Sequence, residues 1–325
     1  PAFGNLLAYK DEIVPLLKKL TDECHDYDCA VMIQITHLGR RTHWSSGDWL
    51  PVLSASGKRE PAHRAFPKQA ELWDIERIIS DYADAAQRMK EAGLDGIELQ
   101  AYCHIIDQFW SDVTNERDDA YGGCFENRMR FSDRLLRAIR DKVCDDFIVG
   151  IRQTADEQYK RGGIDVEEGL KISRHLRDSG LIDFMNVVRG RCDTDPAMVN
   201  VIPVTGMASA PHLDFAGRVK KEMNMPVFHA ARIPDVSTAR YAVESGQLDK
   251  AIECAREAQK GGRGNIAEWE GLFLEALAEA MLGALEVADK TAEKLRERTK
   301  SIPSDRERRR HHYLLGEMAQ TRGDF

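Results

Sequence analysis

No stretch of this chain approaches the roughly eighteen consecutive apolar residues that a membrane-spanning helix needs. The opening PAFGNLLAYKDE has neither a basic segment nor an apolar signal core. A cytoplasmic protein with no membrane partner is the expectation. Cys-x-x-Cys pairs are also missing among the seven cysteines, which removes the usual spacing of zinc and iron–sulfur sites. An odd set of thiols fits reduced, mostly packed cysteines better than a disulfide framework, and no metal is expected. Positive charge is not in excess: 46 Lys and Arg stand against 54 Asp and Glu, a net charge of −8. Nothing in that balance calls for a nucleic-acid partner. What remains is ordinary for a globular chain, with 42% apolar and 31% charged residues. Its 325 residues suffice for one large α/β barrel or two modest domains.

From Cys29 to about Gly246 short apolar runs alternate with amphipathic segments. AVMIQIT (30–36), GIELQ (96–100), FIVGIRQ (147–153), FMNVV (184–188) and PVFHAA (226–231) read as strands. Helical periodicity runs over Ile75 to Ala92, Glu126 to Val143, Val166 to Ser179 and Leu213 to Met223. Such alternation predicts a parallel sheet with crossover helices, and in a barrel of this kind reactive residues sit where strands end.

Three strand ends carry polar groups that packing does not require. Gln34, Thr36, His37 and Arg40 follow the first apolar run, and QAYCHIIDQFW (100–110) sets a phenol, a thiol, an imidazole and a carboxylate directly after GIEL. GIRQT puts Arg152 inside a strand. An unpaired buried guanidinium costs on the order of 3–5 kcal/mol, so an acceptor-rich partner should face it; Glu98, also on a strand, is one candidate and a bound ligand is another. Asp107 reads as a brace for its loop. The run from Asn115 to Arg128 reads as architecture, a loop stapled by charge pairs with glycines for the turn.

These residues carry a resemblance. MIQITHLGR (32–40), DQFWSDVTNERDDAYGGCFENRMRF (107–131) and GIR (150–152) resemble the flavin-dependent old yellow enzyme family. GIELQAYCHIIDQFW (96–110) and PVFHAARIPDVSTARYAVESG (226–246) are similar to its amine-oxidising branch, which includes N-methylproline demethylases. The resemblance implies FMN as cofactor, with Gln34 and Arg152 on the pyrimidine side of the ring. It implies Tyr102 and His104 as catalytic residues over the ring face, although the Tyr-x-His spacing departs from the family's usual His-x-x-Asn or His-x-x-His. Ala231 and Arg232, after His229 and Ala230, match the seventh-strand half of a phosphate site. His37 and Trp110 are the expected substrate contacts, and Trp44 and Trp49 are further pocket candidates. The implied reaction is oxidation of a small N-methylated amine by hydride transfer to the flavin.

The same resemblance implies a partial TIM (β/α) barrel over residues 1–246, lacking the first two strands and the eighth. Two unpaired sheet edges follow, to be covered by the chain's own tail or by a second copy in a homo-oligomer. Residues 247–325 lose all strand character. GQLDKAIECAREAQK and the segments after it resemble tetratricopeptide helices, whose repeat is about 34 residues. A protein partner is the expectation for such a tail, and a plain helical cover for the barrel is the alternative. The basic tract RERRRHH (306–312) reads as a solvated face in an acidic chain. Two readings stand: an FMN-dependent amine oxidoreductase, or a non-catalytic barrel whose helical tail binds a partner.

Overall fold

The computed structural model describes residues 6–42, 51–204 and 206–233, together with parts of 239–322, of which 284–299 is the longest. The chain divides into two compact units, Pro1–Arg232 and Ile233–Phe325. The expected boundary at Gly246 lies outside the described residues.

In the first unit, α1 (Ile13–His25) precedes β1 (Met32–Ile35). Two two-residue strands follow, β2 (Leu53–Ser54) and β3 (Lys68–Gln69). Then come α2 (Leu72–Glu91), β4 (Gly96–Ala101), α3 (Ile105–Trp110), α4 (Phe125–Val143), β5 (Ile148–Asp156) and α5 (Val166–Asp178). β6 (Phe184–Arg189), α6 (Asp195–Val201), α7 (Leu213–Met223) and β7 (Val227–His229) complete it. The five longer strands form one sheet in the order β1-β4-β5-β6-β7, and every pairing is parallel. β2 and β3 pair with each other, also in parallel.

Side chains alternate across a strand, so this sheet has two different faces. Ile35, Ile97, Leu99, Val149, Ile151, Met185 and Val187 form the apolar face and pack into the core with α2, α4 and α5. Gln34, Glu98, Arg152 and Asn186 form the other. A parallel sheet covered on both sides reads as a continuous apolar run. The polar residues on one face here are the local departure that makes a site.

Four crossover helices were expected and all four form, α2 beginning three residues earlier than predicted because Glu71 and Asp74 make a reciprocal capping box. Asp165 caps α5 by accepting from the Glu168 backbone N–H at 2.9 Å. α1, α3, α6 and the β2–β3 pair were not anticipated. Two-residue strands carry no periodicity to read, and α1 has Pro15 in its first turn, where the missing N–H costs nothing. Among the described residues no helix is long and apolar enough to cross a membrane.

The described residues of the second unit are helical apart from Ile233 and Ala284. α8 (Leu285–Thr299) packs Ala288, Ala292 and Leu295 against Leu272, Phe273, Ala276, Leu314 and Met318. Thr291 Oγ1 donates to Glu279 Oε2 at 2.8 Å within that core. The basic tract at 306–312 lies outside the described residues.

Candidate functional site

Gln34 stands opposite Glu98 in the β1–β4 ladder, and Arg152 lies between Gln100 of β4 and Asn186 of β6. Parallel register therefore gathers these side chains on one face. Gln34 Nε2 donates to Glu98 Oε1 at 2.5 Å, and Asn186 Nδ2 donates to Glu98 Oε2 at 2.8 Å. Both carboxylate oxygens are thus engaged by amides. Arg152 Nε and Asn186 Oδ1 are buried without a hydrogen-bond partner. The sequence allowed an Arg152–Glu98 ion pair; no ion pair joins them among the described residues. A buried donor and a buried acceptor are thus left unsatisfied on adjacent strands, which is uncommon in a protein interior.

Tyr102 and His104 follow directly from the end of β4. Their rings are stacked, with centroids 6.0 Å apart and an interplanar angle of 22°. The Arg152 guanidinium lies over the Tyr102 ring, 5.0 Å from its centroid. His104 Nδ1 and Thr36 Oγ1 are 2.7 Å apart, so the end of β1 orients the imidazole. Below the pair, Asp107 accepts from the backbone N–H of Cys103 at 2.6 Å and of His104 at 2.8 Å, capping α3. Asp107 is therefore the brace the sequence suggested.

Burial sets the protonation states. It lowers His104 to about 3, helped by the nearby Arg41 cation, and raises the Tyr102 phenol above its usual value. At neutral pH the pair is an uncharged imidazole beside an intact hydroxyl, able to accept and donate hydrogen bonds to a polar guest. Burial also raises Asp107 to about 7 and Glu157 to about 7.

The remaining expected residues are placed differently. The His37 ring accepts from the Gly39 N–H at 3.1 Å and is lowered to about 4 by its enclosure, while its backbone N–H donates to the Tyr82 hydroxyl at 2.8 Å. Trp110 lies at the end of α3. It is 1% exposed, a member of the core, and its Nε1 donates to Ser132 Oγ at 3.0 Å, while its edge borders a cavity with Asp112, Arg128 and Gly163. Arg232 Nη1 donates to the Val204 carbonyl at 3.1 Å, and Arg232 has φ 48°, Ala231 φ 110°. Backbone in that region is unfavourable for an alanine and bends the chain sharply just after β7. Both ring nitrogens of His229, at the end of β7, are buried without partners. Trp44 and Trp49 lie outside the described residues.

The loop from Asn115 to Arg128 is architecture, as read. Arg117 donates to the Ala55 and Ala70 carbonyls at 2.9 and 2.7 Å and pairs with Asp119 at 2.5 Å. Gly122 is required there, since a Cβ would stand 2.2 Å from the Arg117 carbonyl oxygen. Asn186 and Arg41 are the residues that sequence reasoning missed. Asn186 was findable by the test applied to Arg152, a polar side chain inside an apolar strand. Arg41 follows β1 in a segment without periodicity and gave no signal.

Comparison with known proteins identifies the family. The family model described as NADH:flavin oxidoreductase / NADH oxidase matches residues 3–259. The chain is 59% identical over 249 residues to a probable N-methylproline demethylase of Rhizobium meliloti, covering 77% of this chain and 37% of that protein. It is 44% identical over 240 residues to an N,N-dimethylglycine/sarcosine dehydrogenase of Chromohalobacter salexigens, covering 74% and 34%. Among solved structures, a 2-naphthoyl-CoA reductase complex superposes with a TM-score of 0.65 at 26% identity, covering 73% of this chain and 37% of that one. The chain spans about a third of the length of the curated relatives it matches.

Proposed function

Because the chain belongs to the NADH:flavin oxidoreductase / NADH oxidase family, we propose that it is the substrate-oxidising part of an FMN-dependent enzyme that demethylates a small N-methylated amine. The observation that carries this reading is the polar sheet face, where Arg152 Nε and Asn186 Oδ1 lack partners beneath the stacked Tyr102–His104 pair.

The residues present fit the cofactor that the family binds. The pyrimidine edge of a flavin offers acceptors at N1, O2 and O4 and one N–H donor. Arg152 supplies a buried cationic donor for the acceptors and Asn186 Oδ1 an acceptor for the N–H, with Gln34 on the same face. His229, whose ring nitrogens are unpartnered, and Ala231 and Arg232 after it would hold the phosphate end on this reading. The sheet on this reading is five strands of a barrel within residues 1–246. For residues 247–325 the reading is a tetratricopeptide-like segment that serves a protein partner.

Bound FMN supplies the hydride acceptor. The chain's own residues do the rest. Tyr102 and His104 would hold the substrate, the intact phenol donating and the neutral imidazole offering hydrogen bonds to its polar groups. The Arg41 and Arg152 cations close by disfavour a protonated amine, which keeps the nitrogen lone pair available. Loss of hydride from the N-methyl carbon makes that carbon part of an iminium. Water adds there and the C–N bond breaks, giving formaldehyde and the demethylated amine. N-methylated amino acids are the substrate class, because the relatives named above act on N-methylproline and on dimethylglycine or sarcosine.

One observation favours the second reading, a barrel without catalysis. Met32 on β1 and Phe228 on β7 are 41% and 49% exposed, so the polar face is open at both ends of the sheet. Formaldehyde release from N-methylproline and dimethylglycine by the FMN-loaded protein separates the two. Release supports the enzyme; bound flavin without release under any acceptor supports the scaffold.

A further inference from the structure

Cys103 occupies a backbone position with φ 57°, in the left-handed region that favours glycine. A side chain held there in spite of the backbone invites the question of what it meets. It meets Cys192: the Cys192 backbone N–H donates to Cys103 Sγ at 2.9 Å across 89 residues of sequence. The Cys192 Cα is at most one N–Cα bond farther from that sulfur, about 1.5 Å. The Arg41 cation is close enough to favour the Cys192 thiolate. Val188, Val201, Tyr102 and Met198 wall the pair in a small cluster of their own. Cys103 is half-buried, Cys192 is buried, and both are reduced.

We propose that Cys103 and Cys192 form a redox-active dithiol that closes to a disulfide on reaction with hydrogen peroxide, clamping the end of β4 to the segment after β6. The two thiols have different characters. Cys103 and then Arg41 hold Cys192 below the usual thiol range, while burial and then the neighbouring Cys192 push Cys103 well above it. Cys192 is therefore the nucleophile and Cys103 the resolving thiol. The groups facing the pair are Arg41, Asp107 and Asp193, with Tyr102 alongside.

In the first step the Cys192 thiolate attacks peroxide: an S–O bond forms, the O–O bond breaks, and the departing hydroxide takes up a proton as water. In the second, the Cys103 sulfur attacks the sulfenic acid, the S–S bond forms, the S–O bond breaks, and a second water leaves with the Cys103 proton. The two thiols lose two electrons and peroxide gains them. The event needs neither flavin nor amine, so its outcome is independent of the proposed activity.

The test is to treat the full chain with a small excess of hydrogen peroxide and digest it with trypsin without reduction. Cys103 and Cys192 fall in separate peptides, 91–117 and 192–218, each with one cysteine. The expected result is a chain about 2 Da lighter, with these peptides joined until dithiothreitol is added. Cys103→Ser is expected to leave a sulfenic acid at Cys192 that dimedone traps, and Cys192→Ser to leave Cys103 unmodified. Separate peptides from the treated chain, or oxidation of Cys192 no faster than of the exposed Cys29 and Cys124, would overturn the proposal.

Discussion

The Arg152 guanidinium lies 5.0 Å from the centre of the Tyr102 ring, and its Nε is buried with nothing to bond. Strand β5 thus presents a cation to the aromatic pair that ends β4, at a desolvation cost that a ligand's acceptors would offset. Replacing Arg152 by Met should leave the flavin-free protein no less stable in urea, since an unsatisfied buried donor disappears. The same change should weaken FMN binding about ten- to hundredfold, the loss of one charge-assisted hydrogen bond. Unaltered FMN affinity in a titration would separate Arg152 from the cofactor.

Asp107 connects the site to pH. Its folded value of about 7 is above that of an unfolded carboxyl, so the native state holds a proton that the unfolded chain has released. Its contribution is complete below the unfolded value and declines as pH rises towards about 7. Glu157, also raised to about 7, acts in the same direction. Asp107→Asn leaves one of the Cys103 and His104 N–H groups without its acceptor and should destabilise the protein at pH 5. That penalty should shrink by about 2 kcal/mol by pH 8, because the variant has no charge to bury. Denaturant titrations of both proteins at the two pH values provide the check; an equal penalty would contradict it.

His104 and His37 act in the opposite direction. Their folded values of about 3 and about 4 lie below that of a solvated imidazole, so acid favours the unfolded chain. Stability is full above pH 6.5 and declines as pH falls through the window beneath it. For His104 the loss between pH 6.5 and 4.5 should be about 2 to 3 kcal/mol, and His104→Gln should remove it. Thermal melts of the pair across that range test this, and an unchanged acid slope in the variant would refute it.

Much of this was legible because strands and helices keep different periods. GIELQ and FIVGIRQ are apolar runs broken at Glu98 and Arg152, and those breaks mark the residues that face the site. The Asn115–Arg128 loop was legible because charged residues and glycines at fixed offsets have few other uses. The depth of Trp110 was not legible, since a tryptophan beside a reactive loop looks the same in sequence whether it faces a pocket or the core. The partner of Cys103 had no signal at all: Cys192 is 89 residues away and only the sheet order brings it near.

Arg117 tests the architectural reading. It is 5% exposed and joins the β2 and β3 segments to the loop through the Ala55 and Ala70 carbonyls and Asp119. Arg117→Met should cost about 3 kcal/mol, leaving two buried carbonyls unpaired, and should loosen the loop without changing which amine is used. Urea midpoints measure the first effect and relative rates on two amines the second.

The most direct test of the central claim is FMN titration of the purified chain, followed by flavin fluorescence and visible absorbance. One FMN per chain, with quenched emission and a perturbed yellow spectrum that Arg152→Met reaches only at about ten- to hundredfold higher FMN, is the predicted result. A chain that leaves FMN emission and absorbance unchanged at saturating concentrations would contradict the claim that this sheet face is a flavin site.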